Sequence, residues 1–496
     1  MSLAPILREH VAAGFSGIWI ESHEHEDALT DLARLCHQEH WALATWDIDR
    51  GMSLAAAGEE TESQVHDPVA AVRSAKALAS PESASLLVLP NFHRFLQSAE
   101  VVQALWHAVH DGRRDRTFIV ILSPVAQIPV ELERQFVVLE HSLPGRDEIE
   151  QIARGVATEN GELPENGDLD PVLDAAAGLT RLEAENAVSL SLVREGRVTP
   201  ETIWSLKTQA LKRSGLLTLQ RGEESFGDLG GLNPLKRFCT QALRPRPDKS
   251  TVRPRGIMLL GVPGTGKSAF AKALGREVSR PTLVMDVGSL MGSLVGQTEA
   301  NVRQALRTVD AMAPCILFID EIEKALAGAS SSGTTDSGVS ARLFGSLLTW
   351  LSDHDSDVFV ICTSNDVRKL PPEFTRAERF DAVVFLDLPS TAEKQAIWKL
   401  YLDRYGLEAE QAKPPDRDWT GAEIQSCCRL AALLDVPLSD AAQNVVPVAV
   451  TAAESVERLR KWASGRCLSA NEGGIYQSSS AAAKPKRRVS REPSNN

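Results

Sequence analysis

The sequence predicts an α/β protein made of two modules, and three observations carry that expectation. Apolar runs of strand length recur along the chain, bounded by polar or turn-forming residues, as for strands of a sheet covered on both faces. One of them, residues 257–260, leads into Gly261, Val262, Pro263, Gly264, Thr265, Gly266, Lys267 and Ser268, a complete G-x-x-x-x-G-K-[ST] phosphate loop followed by a helix-prone stretch. The order of apolar runs in the second half of the chain also recurs in the first half.

In the second half, the loop glycines let successive backbone N–H groups turn inward on phosphates. Lys267 supplies positive charge to the terminal phosphates, and the Ser268 hydroxyl is a Mg²⁺ ligand. About fifty residues on, residues 315–321 (CILFIDE) read as a buried strand ending in Asp320 and Glu321. One acid can hold Mg²⁺ while the other polarises an attacking water. A third strand, residues 358–363 (VFVICT), leads to Asn365, whose amide can place that water. Arg376 and Arg379, three residues apart, share one face of a helical turn and can neutralise transition-state charge at a neighbouring subunit's nucleotide.

From residues 226–232 (FGDLGGL) through 313–322 to Arg379-Phe380-Asp381 and residues 420–424, about half the chain resembles one AAA-type ATPase module. The resemblance implies a P-loop NTPase α/β subdomain over residues 226–389, with a parallel sheet flanked by helices, and a helical lid over 390–470. It also implies ATP with Mg²⁺ at a subunit interface, and a homo-oligomeric ring, commonly a hexamer. Carried over by position, Lys267 and Ser268 are the Walker A pair, Asp320 and Glu321 the Walker B pair, and Ser268 and Asp320 the Mg²⁺ ligands. Asn365 is sensor 1, Arg376 and Arg379 are arginine fingers, and Asp228, Leu229 and Gly230 lie near the adenine. One departure stands out: where threading members of the family carry an aromatic pore residue, this chain has Leu294, which loses flat contact area and puts processive unfolding in doubt.

The first half repeats the second without its chemistry. Residues 85–96 (SLLVLPNFHRFL) lie on 315–326 (CILFIDEIEKAL) without a gap, so Pro90 and Asn91 replace the two carboxylates. Residues 118–123 match 358–363, residues 137–144 parallel 383–389, and 179–186 parallel the lid segment 419–426. The first strand, residues 16–21 (SGIWIE), runs into SHEHED at 22–27, which has no Lys, no glycine turn, and carboxylates that repel polyphosphate. Residues 1–205 therefore read as a degenerate AAA-like module with its own helical lid, unable to bind ATP in the usual way. His23 and His25 cannot share a helix face; on a strand they could ligate a metal, but no further His or Cys stands at motif spacing. A solvated helix start with acidic first-turn residues is the expectation there. A degenerate half fused to an intact half resembles the uncharacterised plastid-reading-frame (ycf-type) AAA proteins of cyanobacteria, algae and other bacteria, a likeness that supplies an architecture and no substrate.

Composition agrees with a multi-domain protein of 496 residues, and a formal charge of −13 argues against broad binding to nucleic acid or anionic membrane. No apolar run approaches bilayer length and no signal-like start is present, so the cytoplasm is the expected compartment. The seven cysteines, embedded mostly in apolar segments, read as small buried hydrophobes. Linkers are expected over residues 158–170 and 206–225, a solvated loop over 328–338, and a disordered basic tail over 477–496. Three functions fit: an ATP-driven remodeller of a protein client or complex, an ATP-controlled switch or scaffold with slow turnover, and a nucleic-acid-associated ATPase supported only by the basic tail.

Overall fold

The computed structural model describes residues 3–56, 59–63, 65–80, 83–164, 168–220, 224–244, 253–286, 297–324, 337–369 and 379–478. Leu294, Arg376, and most of the expected loop 328–338 and tail 477–496 lie outside the described residues. The chain divides into two compact units, Met1–Ile203 and Trp204–Asn496.

The first unit runs α1 (Leu3–Ala12), β1 (Gly17–Glu21), α2 (His25–Glu39), β2 (Ala42–Asp47), β3 (Gly51–Ala56), β4 (Glu59–Ser63), α3 (Pro68–Ser74), β5 (Ser85–Pro90), α4 (Ala99–Asp115), β6 (Thr117–Ser123) and β7 (Phe136–Glu140). Helices α5 (Arg146–Val156), α6 (Asp170–Ala176) and α7 (Arg181–Glu195) follow, and α8 (Pro200–Ser214) runs across the division into the second unit. Its sheet has the order β4-β3-β2-β5-β6-β1-β7, with β1 parallel to both neighbours and the β3–β4 hairpin antiparallel at one edge. Alternate strand residues serve opposite faces. Ile18, Ile20, Leu86 and Val88 pack with α1 and α2, while Trp19, Leu87, Leu89 and Ile119 pack with α3 and α4. That two-sided burial is why the strands read as unbroken apolar runs.

The second unit runs β8 (Leu217–Gln220), α9 (Asn233–Ala242), β9 (Gly256–Gly261), α10 (Lys267–Glu277), β10 (Thr282–Met285), α11 (Gln297–Ala311), β11 (Cys315–Ile319), α12 (Ser337–Asp353), β12 (Val358–Ser364) and β13 (Ala382–Leu386). The lid helices are α13 (Thr391–Tyr405), α14 (Gly421–Leu434), the short α15 (Leu438–Ala441) and α16 (Val448–Thr451), and α17 (Ala453–Ala463), followed by β14 (Leu468–Ser469). Its sheet order is β14-β13-β9-β12-β11-β10-β8. The five central parallel strands of the units, β2-β5-β6-β1-β7 and β10-β11-β12-β9-β13, therefore share one order, and the duplication expected from the sequence is present in the fold.

Three sequence boundaries differ from the structure. Residues 206–225 contain the second half of α8 and the strand β8, which pairs antiparallel with β10 and closes that sheet edge. Residues 158–170 fall between α5 and α6, inside the helical part, because the passage from β7 to the lid is only 141–145. The lid does not run on to 470: β14 returns to the sheet beside β13, and Tyr476 packs its ring 4.6 Å from that of Phe385. All seven cysteines are free and buried. Among the described residues no helix is long and apolar enough to cross a membrane.

Candidate functional site

Strand β9 ends at Gly261, and five residues, 262–266, carry the chain into α10. Gly264 and Gly266 hold φ values of 82° and 89°, a region costly for side-chain-bearing residues. A Cβ on Gly264 would also stand 2.6 Å from Thr420 Oγ1, the residue preceding α14, so the loop can approach the lid only as glycine. Lys267 opens α10 almost fully buried, donating from Nζ to the carbonyls of Gly261 (3.0 Å) and Val262 (2.9 Å). Burial pushes its ammonium down to about 8, against the pull of Glu323, Asp320 and Glu321.

The ends of β11 and β12 bring the remaining polar groups alongside. Ser268 Oγ donates to both oxygens of Asp320 at 3.2 and 3.0 Å, and Thr363 Oγ1 donates to Asp320 Oδ1 at 2.5 Å. Glu321 has φ 47°, a left-handed conformation that turns the chain off the strand, and its N–H donates to Thr363 Oγ1 at 2.9 Å. Its carboxylate accepts from Asn365 Nδ2 at 3.1 Å and forms an ion pair with Lys324. Glu323, 6% exposed, accepts from the Asn365 N–H at 2.9 Å. The adjacent hydroxyl and carboxylate of Ser268 and Asp320 form a hard-oxygen donor set that suits Mg²⁺.

Lys267, Ser268, Asp320, Glu321 and Asn365 line a cleft of about 330 Å³, to which Leu229, Leu232, Ile397, Leu400 and Tyr401 add apolar walls. Asp228, Leu229 and Gly230 line it, as do Pro263 to Ser268, Asp320, Glu321 and Asn365; Gly261 and Val262 instead hold Lys267 from behind. Asp228 accepts from Ser225 N–H and Oγ, each at 2.8 Å, and from Arg404 Nη2 of α13 at 3.1 Å. A Cβ on Gly230 would meet Ile397 at 2.5 Å, so this segment packs its backbone directly on α13. Arg379 does not line the cleft.

Sequence reading missed several contributors. Thr363 and Glu323 stand beside the motif residues yet carry no motif of their own. Glu393 was legible as the fourth residue of a Ser390 capping box, and it also accepts from Leu232 N–H at 3.0 Å. Asn471 lines the cleft from the turn after β14 and gives no local signal.

The corresponding loop of the first unit carries different contacts. Only three residues, 22–24, join β1 to α2, and His25 opens that helix as Lys267 opens α10. Glu24 accepts from the Leu182 N–H at the start of α7 (3.4 Å), and Arg181 pairs with Asp27 at 3.3 Å. Ser22 Oγ and His141 Nδ1 share a 2.8 Å hydrogen bond, with His141 Nε2 3.7 Å from Asp27. Burial, aided by Asp27 and Glu183 and opposed by backbone N–H groups of Leu182 and Arg181, pushes the Glu24 carboxyl up to about 7. The segment is a helix start with acidic first-turn residues, as expected; His23 and Glu26 are exposed, while Glu24 and His25 are half-buried. Among the described residues no group of three or more His, Cys, Asp or Glu could hold a metal ion.

A glycine-rich loop between a parallel strand and a helix, with two carboxylates at the neighbouring strand end but one, defines a phosphate-loop nucleotide-binding protein. The model of the ATPase family associated with various cellular activities (AAA) matches residues 257–388. Models of the N-terminal and second domains of SpoVK-like AAA ATPases match residues 4–141 and 147–214. The chain is 32% identical over 406 residues to the uncharacterised AAA domain-containing protein ycf46 of Guillardia theta, covering 77% of this chain and 80% of that protein. It is 30% identical over 420 residues to ycf46 of Pyropia yezoensis, covering 79% and 84%. It is also 27% identical over 304 residues to a cell division cycle protein 48 homolog of Archaeoglobus fulgidus, covering 59% and 39%. The chain belongs to the AAA ATPase family: it joins a SpoVK-like N-terminal half to an AAA module and is similar over most of its length to the ycf46 proteins.

Proposed function

We propose that the second module binds ATP with Mg²⁺ and hydrolyses it, and that turnover in a ring-shaped homo-oligomer remodels a protein client or complex. The observation that supports this best is the convergence of Lys267, Ser268, Asp320, Glu321 and Asn365 on one cleft. On nucleotide binding the Lys267 ammonium exchanges its two carbonyl partners for the terminal phosphates. Ser268 and Asp320 would hold Mg²⁺, which when bound neutralises phosphate charge. Glu321 orients and deprotonates the attacking water, with Asn365 fixing the carboxylate. Asp228, Leu229 and Gly230 border the base, and Arg376 and Arg379 act on the next subunit's γ-phosphate. The first module recruits a partner or regulates the second.

The Lys324 and Asn365 contacts to the Glu321 carboxylate favour a second reading, an ATP-controlled switch with slow turnover, because the base is already paired with two donors that an attacking water would have to compete with. Size-exclusion chromatography with light scattering on Glu321→Gln separates the two. A Mg²⁺-ATP-dependent shift to a hexamer-sized ring is expected. A species that binds ATP without assembling would remove Arg376 and Arg379 from catalysis and favour the switch.

A further inference from the structure

After α17 the chain does not leave the module but folds back as a small clasp. Leu468 and Ser469 pair with Val384 and Phe385 of β13, and Ala470 N–H donates to the Phe385 carbonyl at 3.1 Å. The turn that follows is closed by Ser469 N–H to Gly474 O at 2.8 Å and lies 3.5 Å from Pro234 when measured from a Cβ placed on Gly473. Tyr476 OH and Arg460 both donate to Asp387 at the end of β13, at 2.6 and 2.7 Å. The turn is therefore fixed to the nucleotide sheet at both ends.

That fixed turn presents one side chain to the cleft. Asn471 Nδ2 donates to Glu393 Oε2 at 2.8 Å across 78 residues of sequence. Glu393 is the junction of the base end: it accepts from Ser390 N–H and Oγ at the start of α13, each at 2.9 Å, and from Leu232 N–H at 3.0 Å. Burial works against its charge, yet the hydrogen bonds from Asn471, Ser390 and Leu232 hold its carboxyl below the usual range, so it is ionised at neutral pH. Gly231 has φ 81°, and a Cβ there would stand 2.6 Å from Glu393 Oε1, so this carboxylate directly abuts the backbone beside Gly230. Asn471 Oδ1 is buried with no partner. Packing alone gives no reason to keep an amide there, since a buried unsatisfied acceptor is destabilising.

We propose that Asn471 is a positioning residue for the nucleotide base. Acting through Glu393, the C-terminal turn clamps residues 230–232 against α13 and sets the width of the base end of the cleft. The proposal rests on the reading of this cleft as the ATP site and adds to it a segment far from every nucleotide motif.

The test uses the full chain and displacement of a fluorescent ADP by two competitors, ATP and inorganic tripolyphosphate, which has no base. Asn471→Ala is expected to weaken ATP about tenfold, the loss of one hydrogen bond to a charged group, and to leave tripolyphosphate within about twofold. Asn471→Asp sets two carboxylates face to face and weakens ATP further. Parallel loss of ATP and tripolyphosphate in Asn471→Ala, or an unchanged ATP affinity, would overturn the clamp. A wild-type chain that binds neither competitor would overturn the ATP reading itself, and the clamp with it.

Discussion

Asn91 and Glu321 hold the same place in their modules, just beyond β5 and β11, the third strand of each parallel set, and both sit in the left-handed region, at φ 54° and 47°. The residue after each is fully buried, Phe92 in one case and Ile322 in the other. The lid entries match as closely. Thr180 and Thr420 each cap a helix, with Glu183 and Glu423 returning the capping bond. The shared backbone turn survives where the carboxylate does not, so the turn belongs to the fold and the acid is a chemical layer placed on it. Where the layer is missing, the loop after β1 is shorter and its carboxylate, Glu24, reaches the α7 N-terminus.

The largest test of this contrast is nucleotide stoichiometry. Calorimetry should give one ATP per chain; Lys267→Ala should weaken binding by at least about a hundredfold, since it removes a charge-assisted contact to phosphate, and His25→Ala should leave it unchanged. Residual tight binding in Lys267→Ala would place a second nucleotide in the first module and break the contrast. The next effect is in pH. Phosphate contact keeps the Lys267 ammonium charged, whereas the empty site releases its proton near 8, so binding takes up a proton above that value. ATP affinity should therefore fall about tenfold per pH unit above about 8, and a flat profile from pH 7 to 9.5 would contradict the burial of Lys267.

What was legible in the sequence is what is local in it. The phosphate loop spans eight consecutive residues, and Asp320 and Glu321 follow an apolar strand, so periodicity and motif found both. The duplication was visible because the strands of both sheets are covered on both faces and keep their apolar runs. Glu24 with Leu182 and Glu393 with Asn471 were invisible, because they join groups 158 and 78 residues apart that follow no spacing rule. Strand β8 was read as linker for a related reason. It is four residues long, alternates polar with apolar, and exists only by pairing with β10.

A smaller effect separates the modules by stability. Glu24 has a folded pKa of about 7, above its ordinary 4.5, so its contribution to stability is present in full below 4.5 and lost as pH rises through 7. His25 and His93, both held below their ordinary value chiefly by burial, act in the opposite sense, contributing above 6.5 and losing that contribution as pH falls. Asp27, Asp31, His141 and Arg181 complete the charged surroundings. Protection from hydrogen exchange at the start of α7, relative to the intrinsic exchange rate at each pH, should thus fall between pH 6 and 8, by about 1 kcal/mol after allowance for solvent screening, and Glu24→Gln should remove most of that change. An unchanged profile in Glu24→Gln would remove Glu24 as the source of the pH response.

The smallest effect tests the shared turn itself. If φ 54° at position 91 is imposed by the strand order and by burial of Phe92, the residue there should be judged by backbone freedom alone. Asn91→Gly should be neutral or mildly stabilising, and Asn91→Ala should cost about 1 kcal/mol, the penalty of a Cβ in the left-handed region. Thermal melts followed through the first module's buried Trp19 and Trp46 would read both. At position 321 the same substitutions should follow the same order in stability while abolishing hydrolysis, because there the turn also aims a carboxylate. A loss in Asn91→Gly as large as in Asn91→Ala would mean that the Asn91 side chain does work of its own, and the first module would then hold more than the bare frame of the second.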